Sequence, residues 1–157
     1  MTRLLRAVVL VLLLAVPTAA TFGQDSIQFP LSKLTIETTS GSHPFTVEVA
    51  TDSVQHARGL MYRRELAPDR GMIFLYEKDE EVLMWMKNTY IPLDMLFIDR
   101  AGRIVGLAAN TTPLSTDIIP SNVPVKAVLE LAAGTAERLR IEVGSRVIHS
   151  AFAPNAK

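Results

Sequence analysis

The stretch Glu81–Asp99, EVLMWMKNTYIPLDMLFID, decides how the rest of the chain is read. It holds the single Trp (Trp85), three of the six Met, and one tight polar cluster, Lys87-Asn88-Thr89, inside an apolar run. Two strand-like runs, Val82–Met86 and Met95–Ile98, flank a polar connection that contains Pro92 and leads into Asp94. Strand parity puts Met84, Met86 and Asn88 on one side and Leu83, Trp85 and Lys87 on the other. Both sides carry large apolar groups. The stretch therefore belongs at the centre of the fold, with its polar tips at a sheet edge or rim.

Working outward, Lys33–Thr38 and His43–Ala50 alternate apolar and polar residues around a Thr39–Ser42 turn, the pattern of a hairpin. Asp52 offers an N-cap, with Gln55 placed for a capping box, ahead of a short helix from Ser53 to Met61. Gly59 inside that helix indicates close packing. Gly71–Glu77 is a third strand, apolar on both faces. Beyond the opening stretch, Asp99–Gly102 turns the chain into a strand over Arg103–Ala109. Asn110–Pro124 is a long irregular loop, Val125–Leu131 a strand carrying Glu130, and Thr135 caps a second short helix. Arg146–Ala151 is the last strand. The expected fold is mostly β: a small antiparallel β-barrel or sandwich with two short helices, its strands joined by tight turns.

Composition narrows the function classes. Net charge is zero, which argues against binding nucleic acid or an anionic membrane through charge. With no Cys, disulfides, thiolate catalysis, Cys-ligated metals and a lipoprotein anchor are excluded. Arg3 and Arg6, the apolar run Ala7–Val16 and the small residues up to Ala20 form a secretory leader, with cleavage near Ala20. The expected organisation is a leader over 1–20, a loose arm over 21–32, one β-rich domain over 33–151 and a tail over 152–157. A periplasmic or secreted location follows, without stable membrane insertion after cleavage.

The phrases GLMYRREL (Gly59–Leu66), GMIFLYE (Gly71–Glu77), WMKNTYIPLDMLFID (Trp85–Asp99) and VLELAAGTAERLRIEVGSRV (Val128–Val147) are similar to a known family. They resemble the domain-of-unknown-function family numbered 192, over about Leu34 to Val147. The resemblance implies a compact β-rich single domain of a small, often exported protein, and no activity. It picks out Gly59, Met61, Arg63, Gly71, Trp85, Met86, Lys87, Asn88, Thr89, Asp94 and Glu130 among its motif residues.

Three functional readings are open. The leading one is a non-catalytic binding or accessory module for a small molecule or extended peptide. Its pocket would be lined by Met61, Arg63, Trp85, Met86, Lys87, Asn88, Thr89, Asp94 and Glu130. Lys87 would attract an anionic or carbonyl group, Asn88 and Thr89 would orient it, and Trp85 would stack on it. The bland alternative is that the polar trio only satisfies loop backbone, and that Asp94 and Glu130 form internal ion pairs with Lys87, Arg58 or Arg63. The second reading is an enzyme using Asp94 and Glu130 as acid and base on cell-wall or carbohydrate material. The third is a Cu(I) site among Met61, Met72, Met84, Met86 and Met95, weighed against plain core packing. His43, His56 and His149 show no metal-ligand spacing, and no nucleophile elbow or phosphate loop is present. No cofactor is expected.

Overall fold

A computed structural model describes residues 27–152. The leader over 1–20, the first part of the arm and the last residues of the tail lie outside the described residues. The described chain runs β1 (Leu31–Thr38), β2 (Gly41–Ala50), α1 (Ser53–Arg58), β3 (Arg70–Glu80), β4 (Leu83–Met84), β5 (Leu93–Ile98) and β6 (Ile104–Ala108). It continues as β7 (Ile119–Pro120), β8 (Val125–Ala132), α2 (Thr135–Leu139), β9 (Arg146–Ile148) and a 3-10 turn, Ser150–Phe152. The expected last strand is thus shorter, and β1 begins two residues before the alternation signalled it.

Seven strands form one sheet in the order β6-β5-β8-β3-β2-β1-β9, and β4 pairs with β7 in a separate ribbon. The fold is a mostly β, curled half-barrel with two short helices. One pairing departs from the all-antiparallel expectation: β2 and β3 run parallel, with Val47 opposite Gly71 and Val49 opposite Ile73. The chain leaves β2 through α1 and a loop, which is a crossover, and a crossover returns the next strand in the same direction. The sheet curls until its ends meet at one side. There Arg103 bridges Arg146, the Ile104 N–H donates to the Ser145 carbonyl, and the Val147 N–H donates to the Gly102 carbonyl.

The central strands have no solvent face. Along β5 every residue from Leu93 to Ile98 is buried. Two cores result. One, inside the curl, joins Ile36, Val47, Ile73, Leu96, Ile104, Leu129, Leu131 and Val147, drawing on both edge strands. The other lies on the opposite face, under α1 and the opening stretch, and joins Leu60, Met72, Phe74, Val82, Met86, Met95, Phe97 and Val128. A register shift in β3 between Leu75 and Glu80 leaves carbonyls without ladder partners, and the Lys126 ammonium accommodates two of them, Tyr76 at 2.5 Å and Glu77 at 3.0 Å.

Local signals worked with small offsets. Asp52 caps α1 by accepting from the Val54 and Gln55 N–H groups. The Gln55 side chain reaches back to the Thr51 N–H, one residue earlier than a capping box requires. The helix ends at Arg58. Gly59 is its C-cap at φ 45°, and a Cβ there would stand 3.1 Å from the Phe74 ring. Thr135 is inside α2 rather than its cap; Gly134 occupies the cap without a side-chain bond.

Gly71 is where β3 passes closest to β8. A Cβ there would lie 2.6 Å from the Glu130 carbonyl oxygen and 2.7 Å from Leu131 Cδ2. Backbone cannot yield cheaply, so Gly71→Ala is expected to lower stability by about 1–3 kcal/mol. An unchanged urea midpoint would contradict this packing.

Candidate functional site

The outer core is incompletely filled. Between α1 and the opening stretch lies an open cavity of about 380 Å³. Its floor is Phe74 and Tyr76 of β3 and Glu130 of β8; one wall is His56–Met61 and the other runs from Glu80 to Trp85, with Lys87 and Thr89 beyond. Strand parity supplies the floor. Met72, Phe74 and Tyr76 alternate onto this face of β3, as Val128 and Glu130 do on β8.

Glu130 is the chemically unusual group. Its register partners on the two neighbouring strands are Met72 and Met95, which hand it thioethers and no donor. The residue is only 4% exposed, yet among the described residues its carboxyl has no hydrogen-bond partner. Burial pushes its pKa from 4.5 up to about 8, so it is a neutral acid at pH 7. Tyr76 beside it is pushed well above its ordinary value, first by burial and then by the charges of Glu130 and Glu80. Its hydroxyl makes only a weak contact to Met84 Sδ, at 3.8 Å.

Three of the other polar groups of the walls are already engaged. The His56 Nε2–H donates to the Ala50 carbonyl at 3.1 Å, and its ring centroid lies 5.0 Å from that of Tyr76. Arg58 lies over the Tyr62 ring at 4.8 Å and Lys87 over the Trp85 ring at 5.4 Å. Trp85 is 47% exposed, so the rim offers an open aromatic surface.

Of the side chains named from the sequence, Met61, Trp85, Lys87, Thr89 and Glu130 line this cavity, and Arg63, Met86, Asn88 and Asp94 do not. Met86 is buried beneath it and accepts a hydrogen bond from the Thr111 hydroxyl through sulfur at 3.2 Å. Asn88 takes φ 57°, accepts from the Tyr62 N–H through its carbonyl and contacts Met61 Sδ through its amide. Thr89 also ties backbone together, donating its N–H to Met86 and accepting from Leu114. The trio therefore clamps three loops, and only Lys87 and Thr89 also reach the cavity.

Arg63 belongs elsewhere. It forms a two-pronged bond with Glu48, at 2.6 and 2.5 Å, beside a separate depression. The ion pairs expected between the buried acids and Lys87, Arg58 or Arg63 are not formed. Asp94, fully buried, accepts instead from two backbone N–H groups: Asn110 at 2.9 Å and Ala136, in the first turn of α2, at 2.8 Å. It anchors the long loop and caps the helix that Thr135 was expected to cap.

The acid–base pairing of Asp94 with Glu130 also falls. On the β5–β8 ladder Asp94 faces Leu131 while Glu130 faces Met95. Paired residues share a face and successive residues alternate, so the two carboxyls are on opposite sides of the sheet. Met72, Met86 and Met95 are buried in the outer core, Met84 packs against it, and Met61 lines the cavity. Sequence reading missed His56, Arg58, Phe74 and Tyr76. The last two were within reach, because alternation through GMIFLYE puts both on the face of Met72.

The DUF192 family model, described as "Uncharacterized ACR", matches residues 35–149. Two crystal structures are similar. One is a Sinorhizobium meliloti 1021 protein described provisionally as a transcription regulator: 46% identity over 80% of this chain and 98% of that one, TM-score 0.78. The other is a protein of unknown function from Novosphingobium aromaticivorans DSM 12444: 41% identity over 75% of this chain and 84% of that one, TM-score 0.74. No curated protein matches.

The acids give two expectations. Because folding raises the Glu130 pKa, the folded state holds the proton more tightly. The Glu130 contribution to stability should be full below about pH 4.5, fall as pH rises toward about 8, and level off beyond. Glu130→Gln should flatten that fall and be the more stable protein at pH 8.5, as read from thermal midpoints against pH. Asp94→Ala orphans the buried Ala136 N–H and the part-buried Asn110 N–H, and should cost about 2–4 kcal/mol while leaving the Glu130-dependent slope intact. A changed slope would mean the two acids are coupled.

Proposed function

This chain belongs to the DUF192 family, and from its own cavity we propose that it is a non-catalytic, exported binding module for a small polar molecule or an extended peptide. One observation carries the reading: a buried acid without a partner lies on the floor of an open cavity, beside aromatic, thioether and aliphatic side chains, with charged groups on the walls and rim. Ligand sites commonly have this make-up, an apolar lining with a few polar groups that fix orientation. Trp85 and Lys87 at the rim supply a stacking face and a cation for the part of the ligand that remains outside. The separation of Asp94 from Glu130 supports binding over acid–base chemistry.

The leader-like segment over 1–20 supports a periplasmic or secreted location, with cleavage near Ala20. Among the described residues no helix is long and apolar enough to cross a membrane.

A fragment set of small amides, acids, amines and dipeptides tests the proposal. Ligands of the cavity should raise the thermal midpoint by a few degrees at tenfold excess over Kd and perturb Trp85 fluorescence. Glu130→Leu or Lys87→Ala should weaken them at least several-fold. If no fragment produces a shift that depends on either residue, the binding proposal is wrong.

A further inference from the structure

Resting on that reading of the cavity, we infer that it recognises a planar amide edge, a primary carboxamide or ring lactam, through paired hydrogen bonds to the Glu130 carboxyl. The argument starts from what Glu130 lacks. Its strand neighbours are Met72 and Met95, and among the described residues nothing donates to it or accepts from it. The polar groups that surround the cavity come from three segments: Tyr76 and Glu80 on β3, His56 and Arg58 on α1, and Glu81, Lys87 and Thr89 on the opposite wall. None of them bonds the carboxyl. The His56 N–H is held by Ala50, and Arg58 and Lys87 lie over the rings of Tyr62 and Trp85.

A carboxyl in so apolar a place rests in its neutral form. Neutral, it presents one O–H donor and one carbonyl acceptor side by side. The complementary group carries an acceptor and an N–H donor side by side, which is the edge of an amide. A ketone would leave the Glu130 carbonyl unmet, at the cost of a buried unsatisfied acceptor. An ammonium ion would require the acid to ionise in a site that opposes ionisation. A carboxylate would accept one bond and be repelled by the second oxygen. The walls suit the same ligand. Phe74 and Tyr76 supply aromatic faces, Met61 and Met84 supply thioethers, and a cavity of about 380 Å³ holds one ring with short substituents.

Three probes that share a ring separate the alternatives: benzamide, benzoate and benzylamine, each titrated into the purified protein at pH 6.5 and pH 9.5 by calorimetry. Benzamide should bind tightest at pH 6.5 and at least tenfold more weakly at pH 9.5, where Glu130 has ionised. Glu130→Gln restores an N–H and C=O pair, so it should hold benzamide within a few-fold at both values and abolish the pH dependence. Glu130→Leu should lose tenfold or more with its circular dichroism unchanged. The Gln variant keeps the test decisive if the Leu variant does not fold. A preference for benzylamine that grows with pH would overturn the amide-edge inference and make Glu130 an anionic site. A preference for benzoate lost in Lys87→Ala would overturn it in favour of the rim cation. Equal affinities, or no benzamide binding, would also overturn it. The cavity proposal stands or falls separately, on the wider fragment set.

Discussion

The burial of β8 on both faces is the constraint from which the site and its surroundings follow. Between Val125 and Leu131 only Lys126 is less than buried, and its ammonium caps carbonyls of the irregular part of β3. Each other side chain is committed to one of two packed layers. Ala127, Leu129 and Leu131 join the core inside the curl; Val128 and Glu130 point the other way. An acid on such a strand is placed by parity alone. Glu130 falls in the layer beneath α1, between two methionines, where burial keeps it protonated. The same rule sends Asp94 to the opposite face. There it stays fully buried, supplied with two backbone N–H groups. Two carboxylates that look alike in sequence thus have different surroundings, and only one opens on a cavity.

The polar cluster of the opening stretch shows how a local motif serves two ends. Asn88 in a left-handed conformation and Thr89 with its backbone bonds hold together the turn after α1, the end of β4 and the long loop after β6. Thr111 and Ser121 hold that loop from its own side, bonding Leu93 and Val82. The loop has little regular structure, yet its buried polar groups are satisfied by specific partners. This fastening fixes the cavity wall that carries Trp85 and Lys87.

Much of this was legible in the sequence, because much of it is local. Alternation located most of the strands, Asp52 marked the start of α1, and the two sides of Val82–Met86 stay distinct, Val82 and Met86 buried and Leu83 and Trp85 exposed, even though only Leu83–Met84 pair as a strand. Pro120, opposite Leu83, has no N–H to extend that ladder. What the sequence hid is long-range. The parallel pairing of β2 with β3 depends on a crossover whose loop carries no signal of direction. The partners of Arg63 and Asp94 lie on Glu48 and on backbone far along the chain, and no spacing announces them. Glu130 stood out as an acid within an apolar run. Its lack of a partner became visible only once Met72 and Met95 were placed beside it.

The meeting of the sheet's two ends has a consequence for how this protein behaves in company. An open sheet exposes two rows of unpaired backbone groups, onto which another chain can add strand by strand. Here the β5–β6 turn and the segment leading into β9 bond to each other, with Gly144 and Ile104 exchanging a further bond across the joint. The rows are shortened at that end by the protein's own backbone. Aggregation seeded by strand addition would first have to break this seam.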